Sequence, residues 1–115
     1  MVKDRFGYQS EKLSQARSSL MAPHVRGEEY SFAAAFDFCS RAFHDFDVAR
    51  VEDEDAVGWI EAIKRLTDTS GVEDPTGEGT WVHRARQMSF EERYEFSNAV
   101  DELASWFERE FWSGD

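Results

Sequence analysis

Two side chains that could act as a nucleophile and its base lie close together in the segment FAAAFDFCSRAFHDFD, residues 32–47. Cys39 is the only cysteine of the chain, and His44 is one of three histidines. A thiolate activated by a histidine is a common catalytic pair, but it needs both side chains within hydrogen-bond reach. On a helix with about 100° per residue, the two positions lie about 140° apart. The spacing therefore predicts that they do not form such a pair.

The apolar residues of this segment predict a buried helix face. They fall within a stripe about 80° wide, with the four- and three-residue spacing of a helix packed on other helices: Phe32, Phe36, Cys39, Phe43 and Phe46. A thiol in this stripe behaves as a small hydrophobic group. His44 falls on the opposite face with Asp37 and Arg41, where we expect a solvated, ion-paired surface.

Four segments of the chain have helical periodicity. We predict helices over about residues 10–21, 28–47, 52–68 and 89–112. The last has the clearest start, because Ser89 and Glu92 in SFEE form a capping box. The apolar stripes are expected to meet in one core that contains Phe32, Phe36, Cys39, Phe43, Ile63, Leu103 and Phe107.

No segment shows the two-residue alternation of a half-buried strand. The expected fold is therefore all-α: a small, four-helix bundle-like single domain over residues 1–115. Residues 1–9 precede the first periodic segment and are expected to form a loose N-terminal segment.

One long irregular loop is expected at about residues 70–88, because this segment contains three glycines and a proline. Within it, TWVHRARQ could form a short strand or a helical turn. Two arrangements of its Trp81, Arg84 and Arg86 stay open. In the first, the arginines fold back on the protein's own carboxylates and Trp81 packs against the end of the bundle. In the second, the loop presents all three side chains to a partner. We favour the first, because so much negative charge lies within reach.

The net charge of −11 limits the classes of partner. Residues 1–26 carry five basic and two acidic side chains, whereas the remainder carries eight and twenty-two. Such an acidic body is repelled by phosphate groups, so we expect neither direct nucleic-acid binding nor binding to anionic membranes. No apolar run approaches the roughly 20 residues that span a bilayer, and MVKDRFGYQS lacks the apolar core of a signal peptide. We expect a cytoplasmic protein.

The sequence lacks the common signatures of enzymes and metal sites. It contains no G-x-S-x-G, Walker A, H-E-x-x-H or G-x-G-x-x-G pattern, and no EF-hand loop. With one cysteine and three scattered histidines, no metal-ligand spacing is present, so we predict no cofactor. Whether His24 and His83 meet carboxylates after folding stays open.

The octapeptide RSSLMAPH, residues 17–24, resembles the R-x4–6-H element of the helical HEPN ribonucleases. In that family the arginine and histidine serve phosphodiester cleavage across a dimer interface, so the resemblance implies a ribonuclease that uses Arg17 and His24. It covers only two identities, and family members generally carry the element in a later helix. The acidic body is also a poor platform for RNA. The resemblance therefore identifies no family.

The predicted fourth helix carries more aromatic residues than one buried stripe can hold. Phe90, Tyr94 and Trp112 lie about 120–160° from the centre of that stripe and share a face with Asp101 and Glu108. Aromatic residues bordered by charge are typical of a protein-binding patch. Alternatively, the N-terminal segment or the long loop covers them.

The leading prediction is a small acidic interaction protein, such as an inhibitor, an antitoxin-like protein or an adaptor. It would bind a protein partner, preferably a basic one, and the sequence is also compatible with a homo-oligomer. The candidate partner-binding residues are Phe90, Tyr94, Trp112, Trp81, Arg84, Arg86, Asp53, Glu54 and Asp55. The alternative is a nucleic-acid mimic, whose row of carboxylates at Asp45, Asp47 and residues 52–55 would occupy a nucleic-acid-binding cleft. A mimic should lose its partner more steeply as salt rises.

Overall fold

The computed structural model describes residues 6–22 and 26–113, and within these ranges the chain is helical without strands. The helices are α1 (Gly7–Met21), α2 (Glu28–Phe43), α3 (Glu54–Leu66), α4 (Thr80–Gln87) and α5 (Phe90–Ser113), with a 3-10 turn at Val48–Arg50. The predicted all-α, bundle-like fold is confirmed. The segment TWVHRARQ, for which strand and helical turn were both open, is α4, so the irregular connection is shorter than predicted and covers residues 67–79.

The long helix α5 lies at the centre, and α2 runs parallel to it. The rings of Phe36 and Phe96 meet edge to face with their centroids 4.8 Å apart. Further along both helices, Phe43 and Phe107 approach to 6.3 Å. The order of these contacts is the same in both helices, which makes the pair parallel.

The helices α1 and α3 run antiparallel to α5. On one side, the start of α1 lies close to the end of α5, since a Cβ atom added at Gly7 would be only 3.1 Å from the Phe111 ring. Further along α1, Arg17 contacts Asp101, which lies earlier in α5. On the other side, α3 begins beside Trp106 and forms an ion pair with Glu95 near its end. Three helices therefore surround α5, and α4 packs on the outside of α2.

All seven residues predicted for the core are buried in one hydrophobic cluster, as expected. The cluster also takes up much of the aromatic surplus. The ring of Phe107 is surrounded by those of Phe6, Phe43, Phe46 and Trp106, at centroid distances of 5.3, 6.3, 6.3 and 5.0 Å. Each such side chain contributes about 1.5–3 kcal/mol by leaving water, before the entropy of ordering it is subtracted.

The predicted end of the second helix, at Asp47, is wrong. The helix α2 ends at Phe43, because His44 adopts an extended backbone conformation, and Asp45 then turns the chain with a left-handed φ of 57°. Aspartate tolerates this conformation better than most residues. The resulting turn brings Phe46 back to within 5.7 Å of the Phe43 ring and 6.0 Å of the Phe6 ring. Phe46 therefore packs against the core, as the periodicity indicated, although it lies in the turn after α2 and not in the helix.

The prediction of a loose segment over residues 1–9 does not hold for residues 6–9. The helix α1 begins at Gly7, and Phe6 is buried although its φ of 58° is unfavourable for a large side chain. The rings around it and the Arg50 guanidinium, 5.0 Å from its centroid, hold it there. Residues 1–5 lie outside the described part of the chain.

Helix starts follow the local signals of the sequence. The backbone N–H of Glu92 donates to Ser89 Oγ at 3.1 Å, and that of Ser89 donates to the Glu92 carboxylate at 2.9 Å, which confirms the capping box. The acidic run begins α3, where Asp53 accepts from the backbone N–H groups of Asp55 and Ala56. In the described residues, no helix is long and apolar enough to cross a membrane.

Replacement of Phe36 by alanine should lower the free energy of unfolding by about 3–5 kcal/mol, because the side chain is fully buried and its loss leaves a cavity. Urea denaturation followed by circular dichroism measures this. The matched control is Phe90→Ala, which removes a phenylalanine that is 80% exposed and should change stability by less than about 0.5 kcal/mol. Equal effects of the two substitutions would contradict the core assignment.

Candidate functional site

Cys39 and His44 are separated as their spacing predicts. Cys39 lies in the core, where burial raises the pKa of its thiol and disfavours the reactive thiolate. His44 is exposed beyond the end of α2 and lies 3.3 Å from the Asp45 carboxylate. Arg41 pairs with Asp37 on the same solvated face. These residues offer no nucleophile–base pair.

Of the two residues in the ribonuclease-like element, Arg17 and His24, the structure describes only Arg17. The Arg17 guanidinium lies 3.5 Å from Asp101 Oδ1 and 3.5 Å from Ser105 Oγ, so it links α1 to α5. His24 lies outside the described residues. A joint role of Arg17 and His24 therefore stays a prediction.

A polar network surrounds Glu78 in the loop before α4. Its carboxylate accepts hydrogen bonds from Arg86 at 2.8 Å, from the Thr76 hydroxyl at 2.9 Å and from the Tyr30 hydroxyl. The hydrogen bonds from Arg86, Tyr30 and Thr76 lower the pKa of the Glu78 carboxyl from 4.5 to about 2. The bond to Glu78 raises the pKa of the Tyr30 hydroxyl. The network ties the loop to α2 and α4.

A histidine, an aspartate and a threonine meet at the edge of this network without forming a proton relay. His83 Nε2 lies 3.0 Å from Asp74 Oδ1 and 3.1 Å from Thr76 Oγ1. In a catalytic triad the carboxylate and the nucleophile occupy opposite nitrogens of the ring. Here both contact the same nitrogen. The arrangement instead orders the loop, in which the Gly79 N–H also donates to Asp74 at 3.0 Å.

Metal-ligating side chains do not converge within the described ranges. No group of three or more His, Cys, Asp or Glu side chains there could hold a metal ion. His83 is engaged with Asp74 and Thr76 as described above, and His24 falls in the undescribed segment.

The arginines of α4 fold back on the protein, as we favoured from the sequence. Arg84 donates to the backbone carbonyl of Leu66 at 2.8 Å and pairs with Glu92 at 3.5 Å. Arg86 binds Glu78 and also approaches Glu29. Trp81 is half-buried against the core. These three candidate residues therefore have structural roles within the fold.

Some carboxylates of the predicted row accept hydrogen bonds within the fold, whereas others are exposed to solvent. Asp53 caps α3 and accepts from the Trp106 indole N–H at 3.2 Å, and Asp47 accepts from the backbone N–H of Ala49 at 3.0 Å. Glu54 and Asp55 are exposed at the start of α3. Because Asp47 and Asp53 cap the starts of helical segments, their positions are explained by folding alone.

The three surplus aromatic residues of α5 are the largest exposed apolar side chains on that helix. Phe90, Tyr94 and Trp112 are 80%, 68% and 77% exposed, and no described segment covers them. Phe90 and Tyr94 are about one helical turn apart and therefore lie on the same face of α5. Trp112 is 18 positions further along, which is about 27 Å on a helix. The structure therefore separates the predicted single face into an aromatic pair and a distant tryptophan.

No sequence pattern points to Tyr30, Asp74, Thr76 or Glu78. Tyr30 and Glu78 are 48 positions apart, so no local spacing connects them. The only local signal is the pair Gly77 and Gly79, whose φ values of 77° and 111° allow the tight path of the loop.

Replacement of Glu78 by glutamine should remove a pH-dependent part of the stability. The folded carboxyl has a pKa of about 2 against 4.5, so it stabilises the fold fully above pH 4.5 and loses this effect as the pH falls towards 2. Unfolding free energies measured across this range should converge for the wild type and Glu78→Gln at low pH. Glu73→Gln, on the same exposed loop, is the control and should follow the wild-type curve. Parallel curves for the wild type and Glu78→Gln would refute the prediction.

Replacement of Trp81 by alanine should lower the unfolding free energy by about 1–3 kcal/mol, because a half-buried indole loses part of its apolar contact. Thermal or urea denaturation gives the value. The control is Trp112→Ala, which removes an exposed tryptophan and should be nearly neutral. A Trp81→Ala protein as stable as the wild type would show that Trp81 has no role in packing.

Comparison of the chain with protein-family models, with curated protein sequences and with solved structures found no match.

Proposed function

We propose that this chain is a small acidic interaction module, of the inhibitor, antitoxin-like or adaptor kind, that acts by binding a basic protein partner. The observation that carries the proposal is the pair Phe90 and Tyr94, two large aromatic side chains 80% and 68% exposed on one face of α5. Isolated exposed apolar residues are common, but two adjacent aromatic rings at the start of a rigid helix are typical of a binding anchor.

The surroundings of this aromatic pair support an interface. Glu91 and Glu95 are exposed on the same two turns of the helix, and Asp101 and Glu102 lie further along it. Of these four, Glu95 pairs with Arg65 and Asp101 pairs with Arg17. The one arginine of this stretch, Arg93, is partly buried and pairs with Glu28, so it offers little free positive charge. An apolar centre with a charged border is the usual anatomy of a protein–protein interface.

The charge of the chain favours a basic partner. With a net charge of −11, a second copy of this chain would be repelled over most of its surface, whereas a basic protein would be attracted and its approach accelerated. The cations of α4 do not weaken this field locally, because Arg84 and Arg86 are engaged with Glu92 and Glu78. We therefore place the recognition surface on α5 and not on α4.

The proposal predicts a loss of binding without a loss of stability when the aromatic pair is removed. The partner is first captured on the wild-type protein from an extract of the producing cells and identified by mass spectrometry. Its affinity for the double variant Phe90→Ala/Tyr94→Ala should then be at least about thirtyfold weaker, as for interface anchors generally. The variant should unfold at the wild-type midpoint, because both side chains are exposed.

The control variant is Trp112→Ala, an equally exposed aromatic residue at the other end of α5, which should bind as the wild type does. Binding that survives removal of both rings would contradict the proposal. If such binding also fell steeply with salt, the carboxylates around Glu54 and Asp55 would be the contact surface, as in a nucleic-acid mimic.

A further inference from the structure

A cavity of about 340 Å³ opens between α2, the end of α3 and α4. Its volume is at the lower end of the range of about 300–1,000 Å³ for small-molecule sites. It therefore suits a ligand the size of one amino acid better than a nucleotide. It shares no residue with the aromatic pair of α5.

The walls of the cavity are held in place by hydrogen bonds. The Thr67 hydroxyl donates to the backbone carbonyl of Ile63 at 2.8 Å, and Asp68 Oδ1 accepts from the N–H and hydroxyl of Ser70 at 2.9 and 2.7 Å. On the other side, the bond from Arg84 to the Leu66 carbonyl fixes α4 and with it Trp81. Such a preformed site requires little ordering when a ligand binds.

The buried residues that line the cavity are apolar, whereas its exposed lining residues are polar or charged. The floor is formed by Cys39, Phe43 and Ile63, which are all buried, and the Trp81 indole forms a wall. The Cys39 thiol stays neutral, because burial raises its pKa. The interior thus suits an aromatic or branched apolar group.

Two opposite charges stand at the mouth without neutralising each other. Lys64 and Asp68 both line the cavity, but no ion pair joins them. Lys64 has no hydrogen-bond or ion-pair partner among the residues that the structure describes, and neither do the hydroxyls of Ser40 and Thr69. The hydrogen bonds from Ser70 lower the pKa of Asp68, so its carboxylate is charged at neutral pH. A ligand with both charges would satisfy both groups.

We propose that this cavity binds a small zwitterion with an apolar side chain, such as a free aromatic amino acid. The apolar group enters against Trp81, Phe43 and Ile63. The ligand carboxylate meets the Lys64 ammonium, and the ligand ammonium meets the Asp68 carboxylate. The hydroxyls of Ser40 and Thr69 are available for further hydrogen bonds at the mouth.

The probe is phenylalanine, titrated into the folded protein while the indole N–H resonance of Trp81 is followed by NMR. The chain contains four tryptophans, so the spectrum of Trp81→Phe assigns this resonance. We expect a saturable shift. Hydrocinnamate, which lacks the ammonium, and phenethylamine, which lacks the carboxylate, should each bind about tenfold more weakly, since each loses one charge-assisted hydrogen bond.

Two variants test the roles of the charges. Lys64→Gln and Asp68→Asn change exposed side chains and should each weaken phenylalanine binding by about tenfold, whereas Lys12→Gln on α1, outside the cavity, should not. The proposal is overturned if phenylalanine gives no saturable shift, if both variants bind like the wild type, or if either analogue binds as tightly as phenylalanine. None of these outcomes bears on partner binding by Phe90 and Tyr94.

Discussion

The packing of aromatic rings on the buried side of α5 is the interaction on which the rest of the fold depends. Phe107 contacts rings from the start of α1, the end of α2 and the turn that follows it, whereas Phe96 joins the first half of α2. In proteins, most of the stability of a helix comes from the packing of its apolar face, and this applies to the 24 residues of α5. Its burial among three other helices is therefore what stabilises both α5 and the bundle, and it also fixes which side of α5 faces solvent.

The division of α5 into a buried side and a solvent-facing side determines which side chains the surface presents to a partner. Charged side chains are excluded from the core, and no buried polar or charged residue occurs among the described ones. Several of the cations pair with nearby carboxylates, as Arg17, Arg65 and Arg86 do. Because acidic groups outnumber basic ones, carboxylates such as Glu91 and Glu102 remain exposed on the same helix as Phe90 and Tyr94. A surface that combines free aromatic rings with unneutralised negative charge follows directly from this balance, and it supports a basic protein as the partner.

The proposed amino-acid site depends on relations that no local pattern encodes. Trp81 belongs to α4, Lys64 to α3 and Cys39 to α2, and they line one cavity because α4 packs on α2 and Arg84 binds the end of α3. The same holds for the network around Glu78, which joins Tyr30 to Arg86 across the loop. In contrast, the exposure of Phe90, Tyr94 and Trp112 follows from helical periodicity, because each lies far from the buried stripe. Periodicity did not reveal that Trp112 is distant from the other two, since an angle around a helix carries no distance along it.

The helical class, the common core and the capped start of α5 are properties that the amino-acid sequence specifies on its own. Each arises from interactions over three or four residues, namely the apolar repeat of a helix face and the reciprocal bonds of Ser89 and Glu92. Tertiary packing decided the rest. It ended α2 at Phe43 so that Phe46 could return to the core, and it holds Phe6 in a left-handed conformation that its local sequence disfavours. It also closed α4 over the end of α3. Contacts between distant segments supply this stabilisation, and such contacts exist only once the helices have been brought together.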